Sequence, residues 1–352
     1  VAKQRRLNKG QLRRVRANQK KRIEQAEVDA ELDSLTASHG EFGIVVSRFG
    51  QQAIIADANE QLHRCHIRRT IESLVCGDEV IWHRLTEQND NVSGVIEAVQ
   101  PRRSLLSRPD YYDGVKPVAA NIDQILIVSS VLPVFSSQII DRYLVACEDI
   151  EITPIIILNK ADLLATIAPA ERDEIISALQ RYEAIGYKVI QVSAKENIGM
   201  SALRQQLGGR VSIVVGQSGV GKSSLVNVLL PEVETQVNQV SEGSGLGQHT
   251  TTVATRYTLP EGGVLIDSPG IREFALWHLE PERVAWCFTD FRPYLGGCKF
   301  RDCKHQGDPG CAVEAAVEQG ELAPERLANF HRIIESMAQQ KPSRVVPRGD
   351  KS

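Results

Sequence analysis

The stretch VSIVVGQSGVGKSSLVNVLL, Val211 to Leu230, decides the fold. Its apolar, β-branched start reads as a buried strand, a Gly-rich turn follows, and Lys222 opens a helix. Gly216-Gln217-Ser218-Gly219-Val220-Gly221-Lys222-Ser223 fits G-x-x-x-x-G-K-[ST], between the strand and the helix that the pattern requires. Small residues let backbone N–H groups wrap phosphate at the helix N-terminus, Lys222 reaches the β and γ oxygens as a catalytic group, and Ser223 ligates Mg²⁺. Ser224 completes the expected nucleotide contacts of this loop. The loop implies a bound nucleotide without saying which one.

Outward from this stretch the chain alternates strands and helices. QILIVSSV, TPIIILNK and KVIQVSAK read as strands, and SSQIIDRYLVACEDI, PAERDEIISALQRYEAIG and the segment Met200 to Leu207 read as helices. VATRYTL and GGVLIDS are read as two more strands after the loop. Continuous apolar strands between helices predict a mostly parallel sheet covered on both faces, the doubly wound α/β class. Asp267-Ser268-Pro269-Gly270 stands at the end of GGVLIDS, where ligands bind in such sheets. Asp267 is expected to hold Mg²⁺ through water, and the Gly270 N–H to meet a γ-phosphate. Between loop and strand lies SEGSGLGQHTTT, Ser241 to Thr252, rich in Gly and hydroxyls. A hydroxyl of Thr250 or Thr251 there completes the Mg²⁺ shell and senses the γ-phosphate, as a switch that orders with the triphosphate. His249 sits beside it; on chemistry alone, a single loop histidine is more often an exposed side chain.

The base is read elsewhere. In IIILNKADLL, Ile155 to Leu164, Asp162 can accept from guanine N1–H and the 2-amino group, whereas adenine would leave the carboxylate unpaired. Asn159 is read as bridging base and phosphate loop, and the Lys160 stem as covering the ring face. Ser193-Ala194-Lys195 ends a further strand, with the Ala194 N–H in reach of guanine O6. The order is thus base tetrad, Ser-Ala-Lys, phosphate loop, threonine switch, Asp-Ser-Pro-Gly. Joining the ends of that order restores the familiar GTPase sequence, so the chain reads as a circularly permuted GTPase domain, a rearrangement tolerated where old termini lie close at the surface. The segment after Gly270, the second switch of such a domain, then leads directly into the C-terminal region.

That region contains GGCKFRDCKHQGDPGCAV, in which Cys298, Cys303, His305 and Cys311 are spaced C-x4-C-x-H-x5-C. Three thiolates and an imidazole close a tetrahedral zinc site, structural because no position remains for water. The alternative is a set of unrelated reduced thiols. The other four of the seven cysteines, Cys65, Cys76, Cys147 and Cys287, are scattered and read as buried thiols, not a disulfide framework.

At the other end, Gly43 to about Arg103 reads as five short strands, GIVVS, QAIIA, LHRCHI, DEVIW and SGVIEAV, separated by turn-formers. They predict a small antiparallel barrel of the oligonucleotide-binding (OB) kind, or one that is only a spacer. With few aromatics there (Phe42, Phe49, Trp82), backbone and shape contacts to structured RNA are favoured over base stacking. Ahead of it, Val1 to Gln25 holds ten Lys or Arg against one acid, Glu24, although the net charge of the 352-residue chain is only -3. Such an arm is disordered when free and binds polyanions by releasing counterions, nucleic acid being favoured over membrane. With 42% hydrophobic and 24% charged residues and no apolar run near roughly 18 residues, a cytoplasmic protein with no membrane span and no secretory signal is expected.

The permuted order, GQSGVGKSS, GQHTTT, DSPGIREF and CKFRDCKHQGDPGC behind an OB-like barrel closely resemble the RsgA (YjeQ) family of ribosome small-subunit-dependent bacterial GTPases. The resemblance spans about residues 40 to 340. It implies a GTP hydrolase with Mg²⁺ and one structural Zn²⁺, acting late in assembly of the small ribosomal subunit. It further implies ribosomal RNA binding, stimulation by the subunit and release of ribosome-binding factor A; a monomer is expected. It also implies a catalytic role for His249, since Ile271 stands where many GTPases carry a water-orienting Gln. Gly219 occupies a position that is Asn in many potassium-activated GTPases, which leaves a potassium requirement open. The expected division is an arm at 1–39, the barrel at 40–105, the permuted GTPase domain at 106–275, a zinc-binding, partly helical domain at 276–340 and a polar tail at 341–352. Two rivals stand beside it: a GTP-timed RNA-binding regulator of a non-ribosomal RNA, and a small-molecule kinase, which would tolerate ATP.

Overall fold

Five strands near the N-terminus close on themselves because their apolar residues alternate toward a shared core. In the computed structural model, which describes residues 40–85, 92–110, 114–231, 253–267, 276 and 278–340, these are β1 (Glu41–Phe49), β2 (Gln52–Ala56), β3 (Leu62–Ile67), β4 (Glu79–Arg84) and β5 (Gly94–Val99). β1 pairs antiparallel with β2 and β4, β2 with β3, and β4 with β5, while β3 and β5 run parallel. The pairing order therefore forms a ring, β1-β2-β3-β5-β4 and back to β1, which is the expected barrel except in its β3–β5 pairing. That pairing is parallel where an all-antiparallel barrel is read from the sequence, because β4 intervenes in the chain and pairs on the far side of β5. Val45, Ile55, Cys65, Val80, Trp82 and Ile96 fill it. Gly94 makes room for the largest of them, since a Cβ at that position would collide with the Trp82 ring.

The chain divides into two compact units. The first holds the barrel together with 117–122 and 229–270. In it β12 (Thr255–Thr258) and β13 (Val264–Asp267) pair antiparallel, and β12 joins β1 through Ser47 and Thr255. The mostly parallel reading does not extend to these two strands. Only the short turn 259–263 connects them, closed by Leu259 N–H to the Gly263 carbonyl at 3.0 Å, and a parallel pair would need a long crossover. β6 (Leu105–Asp110) and β7 (Gly114–Ala120) form a separate two-stranded sheet.

The second unit comprises 107–116, 123–228 and 271–352. Its strands β8 (Gln124–Ser130), β9 (Thr153–Asn159), β10 (Lys188–Gln191) and β11 (Val211–Val215) are all parallel, in the order β10-β9-β8-β11. Helices α1 (Ser137–Asp149), α2 (Pro169–Ile185), α3 (Met200–Leu207) and α4 (Lys222–Leu229) connect or follow them. Burial on both faces explains their unbroken apolar runs: Ile125, Leu126, Ile156, Ile157 and Leu158 have essentially no exposure. Gly186, in the left-handed conformation at φ 109°, ends α2 by donating to the Glu183 and Tyr182 carbonyls. Further on, α5 (Pro281–Cys287), a 3-10 turn (Thr289–Phe291), α6 (Ala312–Glu318) and α7 (Pro324–Gln340) pack around Phe288, Phe291 and Phe330. No helix among the described residues is long and apolar enough to cross a membrane. Registered pairs bring Ser130 beside Asn159 and Leu158 beside Gln191, so the C-terminal strand ends form one edge.

Candidate functional site

At that edge the Gly-rich loop leaves β11. Gly216 has φ 144°, and a Cβ on it would collide with the Val128 carbonyl of β8. Gly221 has φ 89°, and a Cβ there would collide with the Asn159 amide. Glycine is required at both positions by close approach as well as by backbone conformation. Asn159, 2% exposed at the end of β9, donates from Nδ2 to the Val220 carbonyl at 2.9 Å and accepts on Oδ1 from the Ala194 N–H at 3.4 Å. One amide therefore joins the tetrad, the Ser-Ala-Lys turn and the phosphate loop. Lys160, left-handed at φ 57°, donates from Nζ to the Leu132 carbonyl at 2.6 Å and the Gly219 carbonyl at 2.8 Å.

Asp162 stands in the 3-10 turn Ala161–Ala165, half-exposed and without a hydrogen-bond partner among the described residues. Ser193 is buried and accepts from the Glu196 N–H at 3.1 Å, and Lys195 is exposed beside Glu196. Lys222 donates to the Gly216 carbonyl at 2.6 Å and to the Gln217 carbonyl. Ser218, Gly219, Ser223 and Ser224 face solvent, Gln217 is half-buried and Val220 buried. Asp267 ends β13 opposite Thr255, in the first unit. His249, Thr250, Thr251 and Gly270 lie outside the described residues, as do the arm 1–39 and the tail 341–352.

The second candidate centre collapses on a point. The ligand atoms of Cys298, Cys303, His305 and Cys311 all lie within 4.8 Å of one another. His305 Nδ1 is 3.6 Å from Cys298 Sγ, 3.5 Å from Cys303 Sγ and 3.3 Å from Cys311 Sγ. Tetrahedral Zn²⁺ with ordinary Zn–S and Zn–N bonds places S and N about 3.6 Å apart. Burial lowers the His305 pKa, favouring the neutral ring that ligates, and pushes the Cys303 thiol up to about 12, so that a cation is needed to hold it as thiolate. The Ala312 and Glu314 N–H groups donate to Cys298 Sγ and Cys311 Sγ at 3.4 and 3.5 Å. Asp308 accepts from the Lys304 and Gln306 N–H groups, and the His331 ring meets the His305 carbonyl. The donor set and its hydrogen-bonded surround fit one structural zinc.

One cluster is absent from the sequence reading. Asp141 of α1, with no exposure, accepts from Tyr182 Oη at 2.7 Å, Asn329 Nδ2 at 2.6 Å and the Arg326 guanidinium. Arg326, 4% exposed, also grips Asp290 with two bonds of 2.9 and 2.7 Å and lies over Phe288 at 4.4 Å. Burial pushes the Asp141 carboxyl up, while Arg326 and the two neutral donors pull it down. The only sequence signal was a carboxylate on the buried face of α1, beside Ile140 and Leu144. Such a position demands a cation without naming it.

The family model described as RsgA GTPase matches residues 99–277. The "Small ribosomal subunit biogenesis GTPase RsgA 1" of Vibrio parahaemolyticus is 55% identical, covering 100% of this chain and 99% of the relative. The "Small ribosomal subunit biogenesis GTPase RsgA" of Dickeya dadantii is 56% identical, covering 95% of this chain and 96% of the relative. Among solved structures, YjeQ from Thermotoga maritima superposes with a TM-score of 0.69 at 30% identity, covering 86% of this chain and 100% of that one. YloQ, described as a circularly permuted GTPase, superposes with a TM-score of 0.67 at 27% identity, covering 89% of this chain and 100% of that one.

Proposed function

The chain belongs to the RsgA GTPase family and is a circularly permuted GTP hydrolase, and on that premise we propose that it binds the small ribosomal subunit and assists its late maturation. The observation that carries this reading is likeness along the whole chain, arm, barrel and Cys3His segment included, to relatives named for that process. Hydrolysis is stimulated by the subunit, and loss of the γ-phosphate releases ribosome-binding factor A. The division into arm, barrel, permuted GTPase domain, zinc domain and tail stands as proposed from the sequence.

In this reading Asp162 reads guanine through its two donors, Asn159 ties the base pocket to the phosphate loop, and Lys160 covers the ring. The Ser193-Ala194-Lys195 turn meets O6. The loop from Gly216 to Ser224 holds the phosphates, and Lys222 leaves the loop carbonyls for the β and γ oxygens. Mg²⁺ is held by Ser223, Asp267 and one of Thr250 and Thr251, where it screens phosphate charge, and Gly270 senses the γ-phosphate. His249 orients the attacking water. What supports the GTP assignment in the geometry is the Asn159 bond to Val220, which makes base tetrad and phosphate loop one site.

The test is GTP hydrolysis with and without purified small subunits, on the wild type and His249→Ala. The expected outcome is stimulation of the wild type and a loss of roughly 100-fold in the variant with GTP binding intact. Full stimulation of the variant would remove His249 from the mechanism, and no response of the wild type to subunits would overturn the ribosomal reading.

A further inference from the structure

A cavity of about 720 Å³ opens between α5, the Cys3His loop and α7, away from the phosphate loop's own lining. Its size falls within the range of about 300–1,000 Å³ common for small-ligand pockets. Ala285, Leu295, Phe330 and Ile334 give it an apolar floor. Two rings on its lining stand half in water, Trp286 at 48% exposure and Phe300 at 46%. Each carries a cation: the Arg292 guanidinium is 5.2 Å from the Trp286 ring centre, and the Lys299 ammonium 5.5 Å from that of Phe300. Two large rings left open on one cavity cost apolar hydration that packing ordinarily removes.

Charge on the lining is sorted. The loop side offers Lys299, Arg301 and Lys304 against the single acid Asp302, whereas the helix side offers Glu282 of α5 and Glu335 of α7. This is the pattern a nucleotide requires. Its phosphates seek the basic loop, its base stacks on an aromatic face, and the N–H donors of the base edge meet carboxylates. A peptide anchor would use the apolar floor but would leave the basic loop side, Lys299, Arg301 and Lys304, unmatched.

We infer that this cavity takes one unstacked base of single-stranded RNA, stacked on Trp286 and Phe300, with the flanking phosphates on Lys299, Arg301 and Lys304. The inference rests on the proposed ribosomal function and adds to it the groups that would grip the RNA. It was hidden in the sequence because Trp286 lies on α5 and Phe300 in the metal loop, and only the fold brings them to one cavity.

The test uses the full, zinc-loaded chain and a fluorescein-labelled single-stranded RNA of mixed sequence. Affinity by anisotropy is expected to fall about tenfold for Trp286→Leu and again for Phe300→Leu, with the salt slope unchanged because no phosphate contact is removed. Zinc content verifies that the fold is kept. Should the leucine variants lose zinc, Trp286→Phe and Phe300→Tyr retain a stacking face and are expected to match the wild type. Photo-crosslinks from 4-thiouridine in the same RNA are expected on 286 and 298–306, and crosslinks confined to the arm or the barrel would overturn the inference. So would zinc-replete leucine variants that bind RNA like the wild type; if those variants bind whole subunits more weakly, the occupant is a protein segment. A wild type that binds neither RNA nor subunits sinks the functional reading instead.

Discussion

Two glycine-rich loops of the second unit are ordered by opposite means. The phosphate loop is held mainly from outside, by the Asn159 amide and the Lys160 ammonium on its carbonyls, with its own Lys222 bonded to the Gly216 and Gln217 carbonyls, and its hydroxyls at Ser218, Ser223 and Ser224 face solvent. The Cys3His loop is held from inside: its four donors converge within 4.8 Å, and Asp308 and Glu314 collect its free N–H groups. A loop supported from behind can release and rebind its ligand without unfolding. A loop whose own side chains make the centre depends on its ligand for shape. The first design suits an exchanged nucleotide, the second a resident ion.

The largest effect should come from removing that ion. Apparent zinc affinities of structural sites reach about 10–16 kcal/mol, and that free energy belongs to folding. Cys303→Ser or prolonged chelation should lose one equivalent of zinc by elemental analysis and melt the C-terminal region at lower temperature, while GTP binding persists. If the variant keeps its melting profile after losing zinc, the dependence of this loop on its ligand is wrong. Next in size is Lys222→Ala. It should lower GTP turnover by about 100-fold while leaving zinc content and melting temperature unchanged, because the loop keeps its external supports. A fall in melting temperature comparable to that of Cys303→Ser would erase the contrast between the loops.

A third effect, read in stability and not in turnover, probes what joins the two regions. Asp141→Ala removes the carboxylate that α1 offers to Arg326 of α7 and leaves the guanidinium buried on Asp290 alone. Breaking such a pair costs about 3–5 kcal/mol, or several degrees in melting temperature. Calorimetry should show the C-terminal helices and the parallel sheet no longer melting together. A single unshifted transition would mean that packing of Phe288, Phe291 and Phe330 joins them unaided.

What the sequence disclosed divides along the same line. Local rules reached far: the helix at Met200–Leu207 and the start of α4 at Lys222 follow from periodicity and the Gly-rich turn, and the five barrel strands from alternation and turn residues. The Cys3His centre was equally legible, since four soft donors within a short span leave little choice of partner. Groups whose partners are remote in sequence were not. Asp141 finds Arg326 across 185 positions, Trp286 and Phe300 meet only in the folded cavity, and β12 turns antiparallel through a turn that looked like any other. By residue type alone Lys160 reads as a cover for the base ring. Its left-handed backbone and its bonds to Leu132 and Gly219 follow from tertiary contacts that no window of sequence contains.

That lysine supplies the smallest and most discriminating test of the comparison. If the phosphate loop is ordered from behind, then removing one external support should weaken the nucleotide without touching chemistry. Lys160→Met keeps the apolar stem and deletes the ammonium that spans the Leu132 and Gly219 carbonyls. The group is exposed, so its two hydrogen bonds contribute about 1 kcal/mol and GTP affinity should fall about fivefold. Turnover at saturating GTP should hold, because Lys222 and the loop N–H groups remain in place. A drop in turnover with affinity unchanged would make Lys160 a group that acts on the reacting phosphate, and the loop would then not be the passively supported cradle that sets it apart from the metal centre.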